Sequence, residues 1–307
     1  MYICRNFNSS TMYIITGASG HTGKRIAINL LSENQPVTVV SRNINHIQDL
    51  IELGATPAIG DLQDVPFMTN LLSKAKAAYL LIPPNFASTD FRKYQFETAD
   101  ALSAAVEKSG IKNVVILSSV GAHLTKDSGV ILGLHYFEEK LKLNLNLNTL
   151  AIRAGFFMQN FFGNINIIKH MNIHGGFPVN GDIQFGMIHT NDIGDYATKR
   201  LLALDFSGFN TQNLIGQRAL SFQEVTKVLG TAIGKPELPW VTFSYEDAKN
   251  GMLGAGLTES MSDLYIEFSK SINEGALIEN FKVDESSITS TSIEDFALEF
   301  AAAYNQA

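Results

Sequence analysis

The sequence predicts an α/β fold, a doubly wound parallel-sheet Rossmann domain carrying a smaller α/β C-terminal lobe. Three observations predict it. Short apolar, often β-branched runs alternate with helix-spaced segments from residue 12 to about residue 153; a glycine turn follows the first run; and the rhythm loosens afterwards.

Residues 12–16 form a short apolar run suited to a first strand, and 24–32 place Ile26, Ala27, Leu30 and Leu31 at helical spacing. Pro36 interrupts, and Val37-Thr38-Val39-Val40 are continuously β-branched, as in a strand covered on both faces. A helix over 46–53 ends at Gly54, and 56–59 suit a third strand before Asp61. Then come a helix over 67–73, a strand over 77–82 stopped by Pro83 and Pro84, and a helix over 91–108 closed by Gly110. Residues 114–117 form strand five, 136–143 a helix and 149–152 another strand. Further on, helices are expected over 164–171, 193–204, 222–233, 260–272 and 293–304, with 213–215 returning a strand to the main sheet. The division that follows is a Rossmann domain over 12–155 with a returning segment near 192–216, and an interleaved substrate lobe over 156–191 and 217–305. Residues 1–11 lack the apolar core of a signal peptide and are expected to be an extension.

Composition narrows the function classes. The chain has 307 residues, 45% hydrophobic and 17% charged, in the ordinary range of a globular protein. A net charge of −7 argues against nucleic-acid binding through bulk electrostatics. One cysteine, Cys4, excludes an internal disulfide framework and fits a reducing, cytoplasmic setting. No apolar run approaches the roughly 20 residues that span a bilayer. His170, His174 and His189 have no carboxylate or thiol at ligand spacing, so no metal site is expected.

The segment Thr16-Gly17-Ala18-Ser19-Gly20-His21-Thr22-Gly23 lies between a strand and a helix, the context that makes a glycine loop a dinucleotide cradle. Gly17 permits a tight turn, Gly20 lets the backbone approach a pyrophosphate and Gly23 allows helix to pack on strand, while Ser19, His21 and Thr22 open the helix whose N-terminus favours the phosphate charge. Strand two ends Val40-Ser41-Arg42-Asn43, without the carboxylate that would bond a ribose 2′-hydroxyl; Arg42 is instead placed for a 2′-phosphate. NADP(H) is therefore favoured over NAD(H). Ligands bind outside the carboxyl ends of such strands, which puts Asp61 and Leu62 near the adenine, and Ile82, Pro83 and Asn85 near the ribose, nicotinamide or substrate. Asp61 alternatively caps the next helix.

With these residues in view, the chain resembles the NmrA-like atypical short-chain dehydrogenases/reductases. The glycine loop, Ser41-Arg42-Asn43, Gly60-Asp61-Leu62, Leu117-Ser118-Ser119, Ile152-Arg153-Ala154-Gly155-Phe156-Phe157-Met158-Gln159-Asn160 and Asp192-Ile193-Gly194 occur in the family's order. The resemblance implies a Rossmann domain with a small lobe and bound NADP(H). It also implies either a reductase of quinones or dyes or a dinucleotide-binding regulator without turnover.

A catalytic centre has two overlapping readings. Many reductases of the wider superfamily use Ser, Tyr and a Lys four residues on; Ser118, Tyr136 and Lys140 fit, with Lys140 also holding the ribose. The spacing recurs at Tyr245 and Lys249, outside the sheet domain. Several family members instead resemble His135, Glu139 and Lys140, which position the helix. Phe156, Phe157 and Asn160 are expected at the substrate pocket, and Trp240 and Phe243 to close it. Residues 252–256, with two glycines, suggest a mobile lid, and Asp192 caps the helix at 193. The leading reading is an NADPH-dependent reductase of a small planar electrophile such as a quinone. The alternatives are an NADP(H)-sensing regulator with a protein partner, or a sugar-nucleotide epimerase-like enzyme. A homo-oligomer is compatible with each.

Overall fold

The computed structural model describes residues 12–279 and 283–307; the expected extension, Cys4 included, lies outside them. The first half alternates as β1 (Met12–Ile15), α1 (His21–Ser32), β2 (Val37–Ser41), α2 (Gln48–Glu52), β3 (Thr56–Ile59), α3 (Val65–Leu72), β4 (Ala75–Leu80), α4 (Phe91–Ser109), β5 (Asn113–Ser119), α5 (Leu132–Lys142) and β6 (Asn148–Ala154). The second continues with β7 (Phe156–Phe157), α6 (Ile165–Met171), β8 (His174–Gly175), β9 (Phe185–Ile188), α7 (Thr190–Ala203) and β10 (Phe209–Leu214). It ends with β11 (Ala219–Leu220), α8 (Phe222–Ala232), β12 (Trp240–Val241), α9 (Tyr245–Gly254), α10 (Glu259–Asn273) and α11 (Ile293–Gln306).

Seven strands form one sheet in the order β3-β2-β1-β4-β5-β6-β10, every pair parallel. Side chains alternate between its faces because a strand repeats every two residues. Tyr13, Ile15, Val39, Tyr79, Val115 and Ile152 enter the core shared with α1 and α7. Their neighbours Ile14, Val40, Leu80, Val114, Ile116 and Ala151 enter the core under α3, α4 and α5. Both faces are therefore dry, which explains why these strands read as unbroken apolar runs. The order in which strands are added reverses between β1 and β4, and that switch point opens a crevice at the strands' carboxyl ends.

A third core gathers Met158, Phe161, Phe185, Phe222, Phe296 and Phe300 from the later elements. Short pairings hold it to the crevice: β7 runs parallel to β9, β11 antiparallel to β9 and β8 parallel to β12. Two-residue strands are too short to carry a readable period. The returning strand is longer than expected and pairs with β6 over its whole length. The anticipated lid is also different: Met252 and Leu253 belong to α9, which ends at Gly254. Ser244 starts that helix by accepting the Asp247 N–H, and backbone bonds to Gly251 and Leu253 carry it to its end. Among the described residues, no helix is long and apolar enough to cross a membrane.

Candidate functional site

The glycine loop leaves β1 and turns into α1 with two glycines fixed by packing and one not. Gly17 has φ +63°, and a Cβ there would stand 2.5 Å from Leu81 Cδ2. A Cβ on Gly23 would stand 2.4 Å from Gly17 O and 2.8 Å from Thr16 O, both backbone atoms. At Gly20 the nearest atom to such a Cβ is Gly17 O at 3.4 Å, so nothing in the fold demands glycine there. Its bareness matters only to something approaching from outside, as a pyrophosphate does. Helix α1 has no acidic residue in its first turn and no side-chain cap, leaving its leading N–H groups for an anion. Ser19, Gly20 and His21 are exposed there, whereas Thr22 is buried and accepts the Tyr79 hydroxyl proton at 3.1 Å. Thr16 Oγ1 donates to Tyr79 O and accepts from Leu81 N, fastening the loop to β4. These residues fit a bound dinucleotide.

At the end of β2, Arg42 is exposed and makes no ion pair with any described residue. Asp61, at the end of β3, accepts from Gln63 N at 2.9 Å in a local turn, while the cap of α3 is Asp64, which accepts from Phe67 N. The capping alternative for Asp61 is thus corrected by three residues. Leu62 packs on the core beneath α3 and α4.

A cavity of about 550 Å³ opens at the carboxyl ends of β4, β5 and β6. The strand side contributes Leu81, Ile82, Ser118, Ser119 and Gly155, and the opposite side Phe177, Phe222, Leu257, Tyr265 and Phe268. Of the residues expected here, Ile82, Ser118, Phe156, Phe157 and Asn160 are on its wall, Asn160 at an exposed position. Pro83 and Asn85 are not; their neighbours Pro84 and Phe86 take that place, because the segment turns there, with Asn85 O accepting from Ser88 N. Trp240 and Phe243 are also off the wall. Trp240 stacks on Phe222 at 4.9 Å and donates to Val179 O from behind, while Phe243 lies against Gly175. Among the described residues, no acidic, basic or histidine side chain lines the cavity.

Helix α5 carries the Tyr136, Lys140 and His135 candidates. The Tyr136 hydroxyl donates to Asp100 Oδ1 at 3.0 Å, and Lys140 Nζ pairs with the same oxygen at 2.7 Å. Tyr136 also packs on Phe96 of α4, at 4.4 Å between ring centroids. The Asp100 carboxylate, and then the Tyr136 hydroxyl, hold the Lys140 ammonium well above the ordinary lysine range. Neither residue lines the cavity, so the structure does not bring them together with Ser118. Positions two residues away lie about 200° around a helix, and they face the crevice instead. Leu134 lines the cavity, and buried Glu138 accepts the Ser118 hydroxyl at 2.5 Å and pairs with Arg153 at 2.5 Å. The His135 alternative is structural as well: Nδ1 meets Ala122 O at 2.9 Å, and Glu139 pairs with Lys142 on the surface.

The sequence profile of the NmrA-like family matches residues 9–297. The chain belongs to the NmrA-like family. This family member is 26% identical over 257 residues to an NAD(P)H azoreductase of Xenophilus azovorans, covering 82% of this chain and 84% of that one. Its fold matches an Escherichia coli NADPH-dependent quinone oxidoreductase complexed with NADPH, with TM-score 0.78, 18% identity and coverage of 94% and 99%. It also matches NmrA, a negative transcriptional regulator in complex with NADP, with TM-score 0.69, 14% identity and coverage of 96% and 92%.

Other singled-out residues of this NmrA-like chain serve the architecture. Asp192 lies in the first turn of α7 rather than before it, and its carboxylate accepts from Thr291 N and Oγ1, tying α7 to the approach of α11. The actual N-cap is His189, whose Nδ1 accepts from Asn191 N. Tyr245 and Lys249, on α9, bond to α10: Asn273 donates to the Tyr245 hydroxyl, and Lys249 pairs with Asp263.

His174 is fully buried beside Phe161 and Trp240, and burial pushes its imidazole down to about 4. Thr226 donates its own proton to Phe222 O, so His174 Nδ1–H donates to Thr226 and Nε2 is left without a partner. The unfolded chain then binds the extra proton first, and stability falls as pH drops from 6.5 towards 4. The expected loss is about 3 kcal/mol across that window. Unfolding free energies against pH should show this slope in the native chain and a shallower one in His174→Leu; equal slopes would remove the assignment.

Proposed function

We propose that this NmrA-like chain is an NADPH-dependent reductase of a small, planar, uncharged electrophile such as a quinone. The observation that carries the reading is the cavity itself, which runs from the crevice at the strand ends into an aromatic-walled chamber that has no charged group among the described residues. The glycine loop and the α1 N-terminus would hold the pyrophosphate, and Arg42 the 2′-phosphate. When bound, NADPH supplies the hydride. The residues' share is enclosure and orientation. Phe156 and Phe157 keep water from the reacting face, and Ser118, its proton committed to Glu138, presents only lone pairs to the cavity. The proton completing the reduction enters from solvent at the mouth, where Asn160 is exposed. The similarity to an azoreductase and a quinone oxidoreductase supports this reading.

The absence of Tyr136 and Lys140 from the cavity favours a second reading, a dinucleotide sensor without turnover, for which NmrA is the precedent. An epimerase reading has less support, since the described residues of the cavity wall offer no charge to a sugar diphosphate. Steady-state NADPH oxidation with neutral quinones, aldehydes and azo dyes separates them. Saturable turnover with a neutral quinone is expected, whereas tight binding with no turnover across the set leaves the sensor.

Cofactor choice has its own test. Arg42→Ala should weaken NADPH binding by about 10–100-fold, the range of one charge-assisted contact, and change NADH binding by less than about twofold. Calorimetric titration with both dinucleotides reads the difference, and equal losses contradict the role of Arg42.

A further inference from the structure

We infer that Tyr265 is the hydrogen-bond donor that orients substrate from the lobe side of the cavity, and that it receives an uncharged oxygen acceptor. This deepens the reductase reading and rests on it for the substrate class.

Across the cavity from the strand ends, α10 brings two polar side chains to the wall, Tyr265 and Ser269. Ser269 Oγ donates to the Tyr265 carbonyl at 2.9 Å and is occupied. The Tyr265 hydroxyl has no hydrogen-bond partner among the described residues, although the side chain packs beside Phe91, Met261 and Leu264. An unpaired phenol at an apolar wall is costly unless something else bonds it.

The other wall polar groups are unsuitable. Ser118 gives its proton to Glu138, and Gln95 Nε2 donates to Val130 O. Ser119 ends β5, on the strand side, and Asn160 lies at an exposed position in the turn of helix that follows β7. A flat substrate enclosed between Phe156, Phe177 and Phe268 therefore meets one free donor at its far end. Burial raises the Tyr265 phenol, keeping it protonated at neutral pH and fit to donate. A sulfonate or carboxylate in its place would find no cation on the wall among the described residues.

Tyr265→Phe removes the hydroxyl and no protein contact of it. A purely structural tyrosine would change stability; this one should leave the thermal midpoint and NADPH affinity unchanged. Affinity for a neutral naphthoquinone, titrated calorimetrically against the NADP⁺-loaded protein, should fall about tenfold, and kcat/KM with it. Unchanged quinone affinity in Tyr265→Phe would overturn the inference. Weakened quinone binding in a protein whose native form never oxidises NADPH would keep Tyr265 as the substrate contact and sink the reductase reading alone.

Discussion

Gly23→Ala is expected to lower affinity for NADPH by about a hundredfold or more, equivalent to roughly 3 kcal/mol. The added Cβ would stand 2.4 Å from Gly17 O and 2.6 Å from Gly17 C. Backbone lies on the far side of that contact, so no rotamer relieves it; α1 must withdraw from the loop, and the cradle loses its shape. Overpacking of this kind also costs stability, typically about 1–3 kcal/mol. Gly20→Ala is the control that separates ligand from fold. Its Cβ has 3.4 Å to its nearest neighbour, so the thermal midpoint should hold while NADPH affinity still falls. Equal behaviour of the two variants in calorimetry and thermal melts would count against the loop as the phosphate site.

Glu138→Leu should be the most destabilising change outside the loop, by about 3 kcal/mol. The Glu138 side chain is 2% exposed and that of Arg153 19%, and the substitution leaves the guanidinium without its counter-charge. It also frees the Ser118 hydroxyl that Glu138 accepts. Replacing both ion-pair partners by leucine should restore much of the loss, because the cost lies in the stranded charge rather than in a missing attraction. Urea midpoints of the two single variants and the double variant measure the coupling. Additive losses would mean that the pair is not acting as a unit. Asp100→Asn, which breaks the exposed link to Lys140, should matter far less.

The contrast between those ion pairs explains what the sequence could and could not convey. The inner strands of the sheet were legible because both of their faces are buried: Val37 to Val40 form an unbroken β-branched run, and Gly110, at φ +70°, had to be a residue tolerant of that conformation. The glycine loop was legible because Gly23 is constrained by Thr16 and Gly17, close in the chain, and Gly17 itself takes a φ of +63°. Helix α5 was different. A four-residue spacing states that Tyr136 and Lys140 share a face, but not which face turns to the crevice. That is set by Phe96 and Asp100, on α4, and by Arg153, on β6. Glu138 carried no signal as a buried acid because its partners are 20 and 15 residues away in the chain. The cavity's lobe wall was similarly hidden. Tyr265 faces the site only because α10 packs beside the turn at Gly129–Ile131, where a Cβ on Gly129 would collide with Leu264 O. Helix α1 begins at His21, earlier than residue 24, because packing against the loop outweighs the poor helix propensity of Gly23.

The central claim is that the dinucleotide groove and the apolar cavity form one reductase site. Single-turnover mixing of the protein, loaded with NADPH deuterated on one or the other face of its nicotinamide, with a neutral naphthoquinone tests it most directly. A fixed site presents one face only. One isotopomer should therefore yield NADP⁺ that keeps all its deuterium and the other NADP⁺ that has lost it, with one quinone reduced per NADPH. NADPH remaining bound and unoxidised, or label lost equally from both faces, would contradict the account.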